Sequence, residues 1–323
     1  MRISQPLPAR RLGRHGPLVP RLGLGLMGAS GVYGSPASDE KRFKFLDQAC
    51  ERGEQFWDTA DKYGDSEDLL GQWFAFNPEK RQNIILATKF GIKTSAGVPG
   101  FSVDSTPGYC RQAIEKSLVR LGLPFIDIYY VHRLDKVTPI EKTMEAMVEL
   151  KKAGRIKHIG LIEYSLFCKD IESPQTHLLD VARELGVGIV AYSPFGNGLL
   201  GGVIRSREDV TKPGDSRGAL PWLGDENVHQ NLTIIEKTSQ FAKSMNLTPA
   251  QLVLAWLLTQ GDDIFPIPGT SNINRLEENL GTFSVSLTQD DERELRQASE
   301  GIVGGRFQTR TGYDFANTPT LDS

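Results

Sequence analysis

Three apolar stretches of this chain each end on a residue able to handle a proton. Phe56-Trp57-Asp58-Thr59 delivers a carboxylate, and the turn Ala60-Asp61-Lys62-Tyr63-Gly64 behind it carries a phenol. Asn83-Ile-Ile-Leu-Ala-Thr-Lys89 ends on an ammonium, and Phe125-Ile-Asp-Ile-Tyr-Tyr-Val131 leads to the imidazole of His132. Taken singly, each is ordinary. A lysine at a strand end is usually solvated, a tyrosine near glycine usually packs, and a histidine behind an apolar run is more often a satisfied core residue than a catalyst. Together they compose a working acid. A free phenol titrates near ~10 and donates poorly at neutral pH. A buried ammonium beside it favours the phenolate and lowers that value, while a carboxylate holds the ammonium in place. A neutral imidazole at the rim can orient a carbonyl oxygen. Such a set protonates a carbonyl oxygen while something else delivers hydride to its carbon.

The elements that must position these groups follow one rhythm. Short strand-like runs at 22–27, 55–59, 83–89, 125–131, 156–161, 187–192 and 263–268 alternate with helical patterns. The helices are expected at 39–52, 66–76, 106–121, 139–153, 175–185, 227–245, 248–260, 272–280 and from 288. Ser38 or Asp39 and Ser66 suit helix starts, Pro107 suits a first helical position, and Gly53, Gly154 and Gly186 suit helix ends. Residues 11–20 read as a hairpin punctuated by Gly13 and Gly16-Pro17. This alternation predicts parallel βαβ units, and the length fits a TIM-type (β/α)8 barrel in a single domain, 1–323, with a tail at 301–323. In such a barrel the second, third and fourth strands set Asp58, Tyr63, Lys89 and His132 side by side at one mouth. Gly23-x-Gly25-x-x-Gly28 has dinucleotide-fingerprint spacing, but no helical pattern follows, so it is read as chance.

Composition narrows the classes. The 323 residues carry 37 Lys+Arg and 40 Asp+Glu, a net charge of −3, with no charge block to suit nucleic acid or a membrane surface. Cys50, Cys110 and Cys168 are widely spaced, match no metal-ligand pattern and read as reduced thiols. No long apolar span and no secretory leader pattern occurs, so a cytoplasmic protein without membrane or nucleic-acid partners is expected.

The motifs resemble those of the aldo-keto reductase superfamily. Trp57-Asp-Thr-Ala-Asp-Lys-Tyr63-Gly64, Ser66-Glu67-x-x-Leu-Leu70-Gly71, Ala87-Thr-Lys89 and Arg120-Leu-Gly-Leu-Pro-Phe-Ile-Asp-Ile-Tyr-Tyr-Val-His132-Arg are similar to its successive segments, over about 11–296. The resemblance implies Tyr63 as proton donor, Lys89 and Asp58 tuning it, His132 orienting a small carbonyl substrate, and NADP(H) bound without a dinucleotide-binding fold. Asp58 would also face the cofactor. Ala191-Tyr192-Ser193-Pro194-Phe195-Gly196 resembles the segment where a tyrosine stacks on nicotinamide and Ser193, Phe195, Gly196 and Gly198 hold the pyrophosphate. An aromatic face suits a flat ring, and free backbone N–H groups suit phosphate. Ile267-Pro-Gly-Thr270-Ser271 and Arg275-Leu-Glu-Glu278-Asn279 resemble the adenosine end. There Arg275 and Thr270 would grip a 2′-phosphate, with Glu278 and Asn279 at the adenine. Many relatives carry a basic residue where Ser271 stands. The wording is also similar to reductases of fungal secondary-metabolite pathways.

The pattern breaks once. Only seven strands can be counted where the barrel needs eight. After Leu161 the family continues with a helix and a sixth strand, whereas here Ile162-Glu-Tyr-Ser-Leu-Phe-Cys168 follows at once. Glu163-Tyr164-Ser165 reads as the end of that sixth strand joined to the end of the fifth. One helix and most of one strand are therefore expected to be missing near 161–164, and with them the groups that would hold the nicotinamide carboxamide. Two functions follow: an NADPH-dependent carbonyl reductase, or a catalytically impaired form kept as a dinucleotide-binding or interaction module. A hydrolase or aldolase is a distant third, for want of a carboxylate pair or metal cluster. Substrate choice is expected from the loops at 28–36, 91–105 and 203–227 and the tail after 301, with Trp222, Phe101 and Phe307 either as apolar wall residues or, as well, packing within their loops.

Overall fold

The chain opens on the expected hairpin, in which β1 (Ala9–Arg11) pairs antiparallel with β2 (Leu18–Pro20). In the computed structural model, the described residues are 6–31, 35–94, 100–161, 170–172, 174, 177–202, 204–211, 215–304 and 318–321. The alternating elements are β3 (Leu24–Gly25), α1 (Asp39–Glu51), β4 (Phe56–Asp58), α2 (Ser66–Phe76), α3 (Pro78–Arg81) and β5 (Ile85–Phe90). After them come β6 (Ile92–Lys93), β7 (Ser102–Val103), α4 (Pro107–Leu121), β8 (Ile126–Val131), α5 (Ile140–Lys152) and β9 (Ile156–Leu161). The chain continues with α6 (Leu178–Leu185), β10 (Ile189–Ala191), α7 (Val228–Ser244), α8 (Pro249–Thr259), β11 (Ile264–Pro266), α9 (Ile273–Leu280) and α10 (Gln289–Glu300).

Local chemistry sets most helix ends. Thr106 accepts from the Tyr109 N–H, Pro107 occupies the first turn of α4, and Gly122 closes it in the left-handed conformation. Thr248 with Gln251, and Thr288 with Asp291, form reciprocal capping boxes on α8 and α10. Ser38 stands at the start of α1, but its hydroxyl makes no capping bond.

The strands run parallel in the order β3-β4-β5-β8-β9, with Asp58 opposite Ala87 and Lys89 opposite Tyr130. A second pair, β10-β11, joins the free side of β3. Gly23 N donates to Pro266 O at 2.9 Å, and Gly25 bridges Gly269. The glycines are required here, because a Cβ on Gly23 would meet Phe56 Cδ1 at 2.6 Å and one on Gly25 would meet Ile267 O at 2.9 Å. The continuous order β10-β11-β3-β4-β5-β8-β9 is that of a (β/α) barrel whose last strands close back on its first.

Period-two alternation divides the strands between two cores. Phe56, Ala87, Ile128, Tyr130, Val190, Phe265 and Ile267 point inward, with Val19 of the hairpin beneath them. Trp57, Leu86, Phe90, Tyr129 and Val131 point outward against the helices. The inward row predicts the site: two residues beyond Phe56 comes Asp58, beyond Ala87 comes Lys89, and beyond Tyr130 comes His132.

The barrel's flanks are β9 and β10, and among the described residues neither pairs with a further strand on its outer side. The neighbouring helices show what such an interval exposes. On α6, Leu178, Val181 and Leu185 are 40%, 44% and 62% exposed, a stripe at helical spacing facing water. On α5, Val148 is 40% exposed and lines an open groove of about 540 Å³ with Ile140 and Met144. The expected loss near 161–164, and the reading of Glu163-Tyr164-Ser165 as a strand remnant, fall on residues 162–165, outside the described ones.

Two of the loops have structure of their own. The 3₁₀ turns Arg207–Val210, Ser216–Ala219 and Pro221–Leu223 border a small apolar cluster, in which Trp222 is only 3% exposed beside Leu199, Ile204, Val210 and Leu223. Of the two readings of Trp222, wall or loop packing, the burial favours packing. The loop at 91–105 carries the short antiparallel pair β6-β7, which sequence patterning did not reveal. Phe101 is 39% exposed and lies under the Lys62 ammonium, 4.6 Å from its ring centroid. Phe307 lies outside the described residues. Among the described residues, no helix is long and apolar enough to cross a membrane.

Candidate active site

Lys89 is the most unusual residue of the barrel, an ammonium with 1% of its side chain exposed. Its Nζ donates to Asp58 Oδ1, a carboxylate 3% exposed, and to Thr59 O at 2.6 Å. A charge taken this far from water costs several kcal/mol unless paired, and the ion pair with the extra carbonyl supplies that pairing. Burial alone lowers an ammonium pKa, but Asp58 and then Tyr63 outweigh it, so Lys89 titrates above its usual range. Asp58 is pushed up by burial despite the pull of Lys89.

The Lys89 ammonium sits 4.8 Å from the centroid of the Tyr63 ring, and His132 stands edge-on to that ring, centroids 5.7 Å apart at 86°. The turn that presents Tyr63 is held by Tyr63 N to Ala60 O (3.0 Å) and Ser66 N to Tyr63 O (2.9 Å). Gly64 continues it at φ +52, where a side chain would press on Ser30 O. His132 N donates to Phe90 O at 2.7 Å, fixing the imidazole at the same rim. The structure thus brings Asp58, Tyr63, Lys89 and His132 together.

The electrostatics differ from the sequence expectation in one respect. Burial pushes the Tyr63 phenol above its usual range, and the Lys89 charge only partly offsets this. The phenol therefore keeps its proton at neutral pH. His132 is held well below the usual imidazole range, first by burial and then by Lys89, Arg133 and Lys62, so it is neutral. Its Nδ1 and Asp58 Oδ2 are buried without a hydrogen-bond partner. Buried polar atoms of this kind take a ligand or water.

A second polar layer, missed at the sequence level, lies behind the turn. Thr59 Oγ1 donates to Ser66 Oγ (2.7 Å), and Thr88 Oγ1 donates to Glu67 Oε1 (2.7 Å). The other Glu67 oxygen receives Arg120 Nη1 at 3.1 Å, and Arg120 also reaches Asp61 O, Gly64 O and Asp68. The available signal was Glu67 itself. It shares the apolar stripe of Leu70 and Phe74 along α2, and a carboxylate on such a stripe needs a buried partner.

The remaining candidates lie on the other side of the mouth. Tyr192 follows Val190 in the inward row of β10 and packs, half-buried, on the interior core. Beyond it Ser193, Gly196, Asn197 and Gly198 all adopt positive φ. Their loop closes partly on itself: Gly196 N donates to Ser193 O, Gly198 N to Phe195 O, and Ser193 Oγ contacts Asn197 Oδ1 at 3.3 Å. Fewer N–H groups face outward than a phosphate cradle built on all of them would need. At the end of β11, Thr270 is buried and its Oγ1 accepts from Asn272 N at 3.0 Å. Asn272 caps α9, accepting from the N–H groups of Asn274 and Arg275. Arg275 is exposed, Glu278 half-buried and Asn279 buried. The Gly25–Gly269 bridge sets this end beside β3 and, across it, Asp58.

Comparison with known proteins agrees with the fold. The model of the Aldo/keto reductase family matches residues 21–173 and 162–300, two pieces that overlap at 162–173. The chain is 42% identical to aldo-keto reductase str7 of Strobilurus tenacellus, covering 98% of this chain and 99% of the relative. It is 38% identical to aldo-keto reductase yakc [NADP(+)] of Schizosaccharomyces pombe, covering 98% and 99%. The alignment with str7 spans 343 positions against 323 residues here, so the relative has at least 20 residues without a counterpart in this chain. A glycerol dehydrogenase from Gluconobacter oxydans shares the fold, with a TM-score of 0.76 at 23% identity over 93% of this chain and 97% of that one. On family model, relatives and fold alike, the chain belongs to the aldo/keto reductase family.

Proposed function

We propose that this protein is an NADPH-dependent carbonyl reductase, a single-domain cytoplasmic enzyme in which Tyr63 donates the proton. One observation carries the reading: a protonated phenol beside a buried lysine that is itself anchored by a carboxylate, with a neutral imidazole at the same strand ends. The free thiols of Cys50 and Cys110 suit a reducing compartment.

The residues present fit NADP(H). Asp58 Oδ2, buried and without a partner, can accept from a hydroxyl of the ligand, and Tyr192 offers an aromatic face. Ser193, Gly196 and Gly198, at positive φ, and Phe195 among them belong to the loop that would hold the pyrophosphate, through the N–H groups it does not spend on its own carbonyls. The exposed Arg275 beside Thr270 suits a 2′-phosphate, with Glu278 and Asn279 next to the adenine. Bound NADPH supplies hydride to the carbonyl carbon. The protein does the rest. His132, neutral, hydrogen-bonds the carbonyl oxygen and aims it at Tyr63. As negative charge grows on that oxygen, the Tyr63 proton moves to it, and the Lys89 ammonium stabilises the phenolate left behind. Asp58 keeps Lys89 charged and in place.

A second reading is favoured by different observations. The family-model match divides at 162–173, the relatives' alignments run longer than the chain, and apolar helix faces lie open beside the same interval. These support a folded dinucleotide-binding or interaction module with little turnover. Purified protein titrated with NADPH by fluorescence, then mixed with a panel of aldehydes and ketones, separates the two. Binding with consumption and alcohol product supports the reductase. Binding without consumption on any carbonyl supports the dinucleotide-binding module, and no binding sinks the reductase and leaves only an interaction module.

A further inference from the structure

We propose that Arg120 is a positioning residue for the proton donor: its guanidinium grips the backbone on both sides of Tyr63 and fixes the phenol relative to Lys89. The inference rests on the reading of Tyr63 as donor, and it concerns how that donor is held.

The geometry is specific. Arg120 lies in the last turn of α4 and spends each of its five donor bonds on one small region. Nη1 donates to Asp61 O at 2.9 Å and to Glu67 Oε2 at 3.1 Å. Nη2 donates to Gly64 O at 2.6 Å and to Asp68 Oδ2 at 2.7 Å, while Nε donates to the same Asp68 oxygen at 3.0 Å. Asp61 and Gly64 bracket Tyr63, so one carbonyl on each side of the donor is tied to one rigid plane. The second half of the network reaches Lys89. Glu67, with 0% of its side chain exposed, bonds the hydroxyl of Thr88, the neighbour of Lys89 in β5, and Asp61 N donates to Lys89 O at 3.2 Å. The guanidinium of Arg120 and the carboxylate of Glu67 thus add a side-chain cross-link between the turn carrying the phenol and the strand carrying the ammonium, beside the direct backbone bond.

The backbone of Arg120 is equally fixed. A Cβ on Gly71 of α2 would lie 2.2 Å from Arg120 O, so the two helices touch with no room between them. A lysine at position 120 would keep the charge, but its three protons on one nitrogen could not span two carbonyls and two carboxylates. The alternative is a plain α2–α4 ion pair with no bearing on Tyr63. It contributes stability only, and a lysine would replace much of it.

The test uses the full chain with Arg120→Lys, Arg120→Ala and, in parallel, Tyr63→Phe. Tyrosine labelled at the ζ-carbon gives an NMR signal for each phenol, and the line lost in Tyr63→Phe identifies Tyr63. In Arg120→Lys the Tyr63 line is expected to move and its titration to shift, with other tyrosine lines in place. Turnover is expected to fall about ten- to a hundred-fold, since small misplacements of a reacting group cost that much. NADPH affinity should stay within about two-fold, and added guanidinium ion should restore part of the activity of Arg120→Ala. An unmoved Tyr63 line in folded Arg120→Lys overturns the inference whether or not the protein turns over. Full turnover in Tyr63→Phe overturns the donor reading instead, so the two failures are distinct.

Discussion

Replacing Asp58 by asparagine removes the charge that makes a buried ammonium tolerable. The two side chains are 3% and 1% exposed, and the other acceptor of Lys89 is the Thr59 carbonyl. Deleting one partner of such a pair leaves an uncompensated charge inside the barrel, at a cost of about 3–5 kcal/mol. Against a typical total of about 5–15 kcal/mol, that is a large share of the stability of the fold. Adding Lys89→Met removes the stranded charge and fills its space with an unbranched apolar chain. The double variant should return to within about 1–2 kcal/mol of the parent, since buried pairs are often nearly neutral against apolar replacements. Urea unfolding of the four proteins at neutral pH, with slopes compared to confirm two-state behaviour, closes the cycle. An Asp58→Asn cost below about 1 kcal/mol would refute the reasoning, as would a double variant as unstable as the sum of its singles.

Three further outcomes are expected. Asp61 is pushed up to about 7, chiefly by burial and then by Glu67. The folded state therefore holds a proton that the unfolded chain, titrating near ~3.9, has released, and stability falls as pH rises from about 4 to about 7 by up to ~1.4 kcal/mol per unit. Asp61→Asn should flatten that decline in Tm, and parallel Tm–pH curves would contradict it. Arg275→Ala should weaken NADPH binding about ten- to thirty-fold and leave NADH unchanged, because a guanidinium–phosphate contact is worth about 1.5–2 kcal/mol; equal losses for both would remove Arg275 from the 2′-phosphate. Gly71→Ala should destabilise by about 2 kcal/mol or more, since α2 and α4 must part. Gly108→Ala in α4, with open space where its Cβ would stand, should cost nothing or stabilise slightly.

What could be read in the residues was whatever rests on local spacing. The Thr106-Pro107 start of α4 is a signal of a single turn, and the helix begins where it stands. The alternation that buries Phe56 and Ala87 also aims Asp58 and Lys89, so an apolar run ending on a polar residue was enough to expect that they meet. Less legible were quantities that depend on partners far along the chain. Arg120 meets Glu67 across 53 positions, and no local pattern marks that pairing. The net direction of the Tyr63 shift is a contest between burial and one cation, and spacing reveals the cation but not the depth. Trp222 could be read as wall or as loop packing because its apolar partners, Leu199 and Val228 among them, are drawn from either side of a polar loop. Ser38 has the right residue type for a cap, yet its side chain is oriented otherwise.

The central claim is that the Tyr63 hydroxyl supplies the proton while the rest of the pocket binds NADPH without it. The direct measurement is NADPH affinity and carbonyl-dependent NADPH consumption in the parent and in Tyr63→Phe. A ring without its hydroxyl should bind NADPH within about two-fold of the parent and lose turnover by about a hundred-fold or more, the scale set by a positioned general acid. Consumption by Tyr63→Phe at the parent's rate would contradict the claim outright.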